Sequence, residues 1–231
     1  MKPRIAYNNM LEDSIDLLAT NVDNDSSVKN LYHPYMEYAL WCISTTTTIS
    51  GRWTSPKLIN CIGVGFHTCD TVHLKLKSSS GIAIYESTIT LEENDALYYF
   101  ASVDNAYSFE LIFQSAEAAR IGYLYIGSYV ELPQFNTGSE YPISLNSSSD
   151  RTRGGQVYGL FARPVQGYGV SFPRFESTDL ITITEYIETV QNVKPHMVDL
   201  FPDSHSTVSP FYGVVSTDSL DVVKRSESGF F

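Results

Sequence analysis

The chain has 231 residues, of which 43% are hydrophobic and 18% are charged, and its formal net charge is -11. This length is enough for one large domain, or a domain with a smaller companion, to bury a proper core, and the composition excludes a disordered chain. The negative charge would repel phosphate backbones, so we expect no binding to nucleic acid. No apolar run reaches the length of a membrane span or signal peptide, and we expect a soluble protein without membrane insertion.

The first section, residues 1–29, is predicted to form an arm before the main domain. Within it, residues 10–18 are predicted to make a short helical turn, because Leu11, Ile15 and Leu18 then share one face. That face could dock on the same chain or on another copy.

From residue 30 to residue 132 the sequence has the rhythm of a β-sandwich, in which short apolar or alternating segments are separated by polar turns. The clearest strand is 71–77, where Val72, Leu74 and Leu76 alternate with polar residues. The turn at 78–81 indicates that this strand pairs with the next one as a hairpin. The predicted strands are 38–44, 58–65, 71–77, 82–90, 96–100, 107–114 and 120–132.

Residues 133–231 are predicted to form a second, smaller β-rich (α+β) unit with one helix. An Asn-, Ser- and Gly-rich loop precedes predicted strands at 156–162 and 168–172. Ser177 can cap a helix at 177–191, although the β-branched run 181–184 leaves a strand open as an alternative. Closing strands are predicted at 197–201, 211–215 and 220–224.

The segment 150–158 combines two arginines with a Gly-Gly step. Arg151 and Arg153 offer planar donor forks that suit carboxylates, and Gly154 and Gly155 permit positive φ or a close backbone approach. Together with Gln156, these residues are predicted to form an interface, and an ordinary β-turn with solvated charges is the alternative.

The sequence holds many aromatic residues, with 16 Tyr and 12 Phe. Tyr and Trp serve sugar sites and protein interfaces alike, because one end is apolar and the other can form hydrogen bonds. Trp41 is predicted to pack in the core beside Leu40, Cys42 and Ile43. Trp53, which lies in a polar stretch, is the predicted exposed platform for a sugar ring.

Local signatures of catalysis are not recognisable, so we predict a protein that is not an enzyme and has no cofactor. A polysaccharide-degrading enzyme needs two carboxylates in a cleft, and that possibility stays open only as a third hypothesis. No paired Cys-x-x-Cys spacing occurs, so no metal site is predicted, and the three cysteines suit synthesis in a reducing compartment. The nearest approach to a metal-ligand set is the group Cys61, His67, Cys69, Asp70 and His73.

Several short motifs, taken in order, resemble a family of tailed-bacteriophage virion proteins. These proteins carry a galactose-binding-like (discoidin-like) β-sandwich followed by a segment with arginine and Gly-Gly-Gln. The motifs that carry the resemblance are Asn30-Leu31 with Trp41, the segment 61–67, the segment 72–76 with Ile84-Tyr85, the segment 120–127, the segment 151–158 and the segment 212–215.

The resemblance implies a galactose-binding-like jelly-roll sandwich at 30–132. It also implies a non-enzymatic structural role in the phage tail, at the tail tip, the baseplate or an adaptor. The implied partners are other tail proteins, in a homo-oligomeric ring, and the implied location is the virion tail after synthesis in the host cytoplasm. The alternative function is a carbohydrate-binding module of the tail that attaches to glycans of the host surface.

Overall fold

The structure is a computed structural model. It describes residues 2–33, 38–91, 96–134, 143–144, 148–151, 157–160, 165–166, 177–190, 194–202 and 210–213. The chain forms two compact units, one made of Met1–Leu132 and Ser177–Phe231 and the other of Pro133–Glu176. The predicted mainly β fold is confirmed, but the units differ from the predicted division, because the helix and the last strands belong with the first unit.

The described residues of the first unit form a 3-10 helix, Val28–Tyr32, an α-helix, α1 (Ser177–Val190), and most of the described strands. In chain order these strands are β1 (Arg4–Ala6), β2 (Ile15–Ala19), β3 (Leu40–Trp41), β4 (Thr46–Gly65), β5 (Thr71–Lys77), β6 (Ala83–Thr90), β7 (Ala96–Gln114), β8 (Arg120–Ile121), β9 (Tyr123–Gly127) and β10 (Val130–Glu131), followed after the second unit by β15 (His196–Asp199) and β16 (Phe211–Gly213).

Two long antiparallel strands, β4 and β7, pair with each other along most of their length. Their register shifts between Arg52 and Cys61, and such irregularities bend a sheet. The sheet on one side of the bend has the order β2-β4-β7-β5-β6, whereas beyond the bend β4 pairs with β7 and β9. Side chains from both parts, such as Leu74, Leu111, Ile62 and Leu124, share one buried core, which makes this region a sandwich.

A second core lies on the other face of β4 and β9. A four-stranded sheet with the order β10-β1-β15-β16 covers it. The buried side chains of this core are Ala6, Cys61, Leu97, Tyr123, Tyr125 and Met197.

The predicted hairpin of β5 and β6 is confirmed, with Thr71 opposite Thr90 and Gly81 at φ 80 in the turn. The strands predicted at 58–65, 96–100 and 107–114 are parts of β4 and β7 instead. The polar stretch 101–106 reads as a turn in the sequence, but it is an irregular part of β7 in which Asn105 has a φ of 62. A long strand can absorb such residues where its register shifts.

The N-terminal section does not form the predicted arm. β1 is paired on both sides, with β10 and with β15, and the predicted helical turn at 10–18 is replaced by a turn followed by β2. Leu11 is fully buried, whereas Leu18, on the same predicted face, is 63% exposed. Pairing with β4, in which Ile15 lies opposite Arg52 and Leu18 opposite Ser50, provides hydrogen-bonding partners for an extended chain at 15–19 and outweighs the local helical pattern.

The predicted helix is confirmed as α1, and the alternative of a strand at 181–184 is wrong. Ile183, Tyr186 and Val190 are buried and lie at helical spacing. The helix tolerates its β-branched residues because the free energy gained by burying these three side chains exceeds the small cost of the lost side-chain freedom.

His196, the first residue of β15, packs against Tyr186 of α1 and is 2% exposed. Its Nδ1 lies 3.2 Å from the carbonyl oxygen of Lys194, and its Nε2 lies 2.7 Å from the hydroxyl of Tyr186. A carbonyl only accepts, so Nδ1 carries the proton and Nε2 accepts from the hydroxyl. Burial lowers the pKa of His196 to about 4, with the bond to Lys194 acting against it.

We expect His196 to make the protein less stable by about 2 kcal/mol at about pH 5 than at about pH 7. The unfolded chain takes up this proton near pH 6.5, but the folded chain takes it up only near pH 4. The stabilisation from neutral His196 is therefore complete at pH values above its pKa in the unfolded chain. It is lost as the pH falls towards its pKa in the folded chain. Urea unfolding of the wild type and of His196→Gln at both pH values measures it. An equal pH dependence in the two proteins would contradict this assignment.

The described residues of the second unit form two short antiparallel strand pairs. β11 (Ile143–Ser144) pairs with β14 (Val165–Gln166), and β12 (Ser148–Arg151) pairs with β13 (Val157–Leu160). The strand predicted at 156–162 is thus confirmed as β13, while those predicted at 168–172 and 220–224 lie outside the described residues.

Candidate functional site

An open depression of about 410 Å³ lies beside β3 in the first unit. This volume is in the range of about 300 to 1,000 Å³ that is usual for small-molecule sites. The residues that line it are Asp23, Asp25, Ser26, Asn30, Tyr38, Ala39 and Trp41.

Trp41 forms one wall of the depression. β3 pairs with β8, so Leu40 points into the core while Trp41 points outward and is 52% exposed. Arg120 lies directly opposite on β8, with its guanidinium carbon 5.7 Å from the centre of the indole. The strand pair therefore holds a large aromatic surface in solvent, with a cation beside it.

The loop 23–26 is attached to the backbone of Trp41 on both sides of the peptide. The amide of Asp23 donates to the carbonyl of Trp41 at 2.9 Å, and the amide of Trp41 donates to Ser26 Oγ at 3.1 Å. Within the loop, the amide of Asp25 donates to Asp23 Oδ1 at 2.9 Å. These bonds hold the backbone of the loop, which carries the two exposed residues Asp23 and Asp25, beside Trp41.

The remaining wall comes from the 3-10 helix and the residues after it. Asn30 donates from Nδ2 to the carbonyl of Ala39 at 3.4 Å, which connects the helix to the chain that enters β3. The ring of Tyr38 is 57% exposed and packs edge-on against His33, with ring centres 4.9 Å apart. The depression thus has an exposed phenol as well as an exposed indole.

This set of groups suits a ligand that is apolar on its faces and polar around its edge. An indole and a phenol offer flat apolar surfaces, whereas carboxylate, amide and hydroxyl groups form directional hydrogen bonds. A sugar ring has this combination, with C–H groups on its faces and hydroxyls around the ring.

The sequence predictions for the two tryptophans are both wrong. Trp53 is 3% exposed, its Nε1 donates to the carbonyl of Met10 at 2.7 Å, and its ring lies 5.1 Å from that of Phe109. Trp41, predicted to pack in the core, is the exposed one. The alternation of a β-strand explains the exposure of Trp41, because Leu40 and Cys42 point inward and Trp41 therefore cannot.

The predicted interface residues lie in the second unit, and Arg151 is the only one of the five that falls within the described residues. Arg151 ends β12 opposite Val157 of β13. Arg153, Gly154, Gly155 and Gln156 lie outside the described residues, so the interface stays a prediction.

The cysteines and histidines considered for a metal do not come together in the described part of the chain, where no group of three His, Cys, Asp or Glu side chains could hold an ion. Cys61 lies in the second core and Cys69 in the sandwich core. Burial raises the pKa of the Cys69 thiol to about 12, which opposes the thiolate that a metal needs.

A second polar cluster lies on the outer face of β5 and β6. His73 is 2.9 Å from Thr88 Oγ1 through Nδ1 and 2.8 Å from Glu86 Oε1 through Nε2. Lys75 contacts the same Glu86 oxygen at 3.2 Å, and the hydrogen bond from His73 lowers the pKa of this carboxyl. These side chains form hydrogen bonds and ion pairs with one another across the two strands, so the cluster stabilises the hairpin at the surface.

The chain matches no protein-family model and no curated protein. Solved structures do resemble it. Chitosan-binding module 1 of the chitosanase/glucanase from Paenibacillus sp. IK-5 has a TM-score of 0.44 and 8% identity, covering 53% of this chain and 100% of that one. A fucose-binding module of Streptococcus pneumoniae has a TM-score of 0.41 and 6% identity, over 53% and 92%.

The lectin domain of lectinolysin, solved with Lewis B antigen, is also similar, with a TM-score of 0.42 and 4% identity over 49% of this chain and 92% of that one. These neighbours are carbohydrate-binding and lectin modules, and none of the three is named as a virion protein. Among the described helices, none has the length and apolar character needed to cross a bilayer.

Proposed function

We propose that the protein binds carbohydrate in the depression beside β3, with Trp41 as the stacking surface. Carbohydrate binding is the alternative function given in the sequence analysis, where Trp53 was the expected stacking residue. The stacking residue proposed here is Trp41 instead. The observation that carries it is the half-exposed indole of Trp41, fixed by backbone hydrogen bonds next to a rim of carboxylate, amide and hydroxyl groups.

An exposed tryptophan on a loop would have to be ordered on binding, at a cost in conformational entropy. Here the β3–β8 pair and the two hydrogen bonds from the loop 23–26 hold Trp41 in place before any ligand arrives. Preorganisation of this kind favours binding by weak contacts, such as those between a ring face and a sugar.

Binding of the multivalent protein to a broad glycan array tests the proposal. We expect retention of at least one glycan class by the wild type, and about a tenfold or greater loss in Trp41→Ala, as expected when a large apolar side chain no longer becomes buried. Ile82→Ala is the matched control, because Ile82 is 68% exposed but does not line the depression. An empty array, or retention that does not depend on Trp41, would refute the proposal.

The phage tail is proposed as the setting of this binding, on the resemblance of the sequence motifs alone. A tail protein made in the host cytoplasm and assembled in a ring would present many copies of the depression to a host surface. Multiple copies raise avidity even when each site binds weakly. Imaging of the protein in a particle would test the setting without bearing on the glycan site.

A further inference from the structure

We infer that the depression prefers sugars with a free, protonated amine over neutral sugars and disfavours sugars with a carboxylate. The inference rests on the proposed function, since it assigns a ligand class to the same site. Its basis is the sign of the charges that line the depression and the position of the cations around it.

Two of the seven lining residues are carboxylates. Asp23 and Asp25 are both exposed, and neither forms an ion pair with any of the described residues. Asp23 Oδ1 accepts from the amide of Asp25, and its second oxygen has no hydrogen-bond partner among the described residues. Both negative charges are therefore available to a bound cation.

None of the described residues that line the depression is a lysine or an arginine. Arg120 lies over the indole of Trp41, and Lys29 belongs to the same 3-10 helix as Asn30, but neither lines the depression. The net charge of -11 adds a field of the same sign, which salt screens over about 8 Å at physiological ionic strength. The charges of the described lining residues and the overall charge thus both favour a cation and oppose an anion, and the guanidinium of Arg120 beside the indole acts against this preference.

The expected preference is moderate, because both carboxylates are in contact with water. Ion pairs of this exposure typically change affinity by about two- to fivefold for each charge. A sugar with one amine near both carboxylates would therefore bind several-fold more tightly than its N-acetylated counterpart, which has the same ring and no charge. The advantage should shrink as salt is added.

Titration calorimetry with three oligosaccharides of equal length tests the inference: a glucosamine oligomer at mildly acidic pH, the matching N-acetylglucosamine oligomer and a galacturonic acid oligomer. We expect affinity to fall in that order. Trp41→Ala should lose binding of the glucosamine oligomer. If that variant still binds it, the attraction is only to the acidic surface as a whole, and the inference is wrong.

Asp23→Asn and Asp25→Asn separate charge from shape, since asparagine keeps the size of the side chain and an oxygen that can accept the Asp25 amide. Each should reduce the preference for the free amine by about two- to fivefold and leave the N-acetylated oligomer almost unaffected. Asp104→Asn, an exposed carboxylate outside the depression, is the control and should change nothing.

Equal affinity for the free and acetylated oligomers in the wild type would overturn the charge preference while leaving the carbohydrate site intact. A preference unchanged by both substitutions would also overturn it. If none of the three oligomers binds, the inference is wrong. The glycan array then decides independently whether the protein binds any carbohydrate.

Discussion

Replacing Asn9 with alanine is expected to lower the free energy of unfolding by about 3 to 5 kcal/mol. Asn9 is 3% exposed, and its Nδ2 donates to the carbonyl of Leu124 at 2.8 Å. Its Oδ1 accepts from the amides of Leu11 and Ile126, both at 3.2 Å. Alanine would leave one carbonyl and two amides buried without these partners, and each costs about 1 to 3 kcal/mol when unsatisfied.

Urea unfolding of Asn9→Ala measures this loss, and Asn60→Ala is its matched control. Asn60 Oδ1 accepts from a single backbone amide, that of Tyr129, at 3.1 Å, so its removal should cost about 1 kcal/mol. Similar losses in the two variants would show that the buried bonds of Asn9 do not fix the N-terminal chain to β9.

Replacing Phe109 with alanine is expected to cost about 3 to 5 kcal/mol, because it leaves a cavity in the sandwich core. Phe109 is 2% exposed and packs on Trp53. Its ring also covers Gly51 so closely that a Cβ at Gly51 would lie 2.8 Å from Phe109 Cε1. Trp53, Phe109 and Gly51 therefore form one packed contact between β4 and β7.

A double-mutant cycle tests that contact. Gly51→Ala alone should destabilise through the close approach to the Phe109 ring, but in the Phe109→Ala background the new methyl occupies part of the cavity. The cost of the double variant should therefore be smaller than the sum of the single costs by at least about 0.5 kcal/mol. Urea unfolding of the four proteins gives the coupling, and strict additivity would rule out the contact.

The two tryptophans show what the sequence could and could not predict about the site. An alternating register at 40–43 puts Trp41 and Ile43 on one face and Leu40 and Cys42 on the other. All four residues are apolar, so alternation alone does not show which face is buried. In the structure the face with Trp41 and Ile43 is the exposed one, with Ile43 at 64%. The burial of Trp53 depends on Met10 and Phe109, both more than forty residues away, and no local pattern contains such a contact.

Elements whose own residues show a clear strand or helix periodicity were predictable from the sequence. Elements that depend on residues far away in the sequence were not. β5, β6 and α1 follow alternation and helical spacing, and the structure has them within one residue of their predicted bounds. β1 has only three residues and exists because β10 and β15 pair with it. The loop 23–26 likewise reads as a polar run, and only its bonds to β3 make it part of a site.

The position of β1 has a consequence for the order in which the chain can fold during synthesis. β1 leaves the ribosome long before one of its partners, β15, which lies at residues 196–199. Until that segment is made, Tyr123 and Tyr125 have no complete cover, although the strand that carries them is already paired with β4. A nascent chain therefore carries an incompletely covered sheet face while residues 128–199 are made, which exposes this face to chaperones and to aggregation when synthesis stops within that segment.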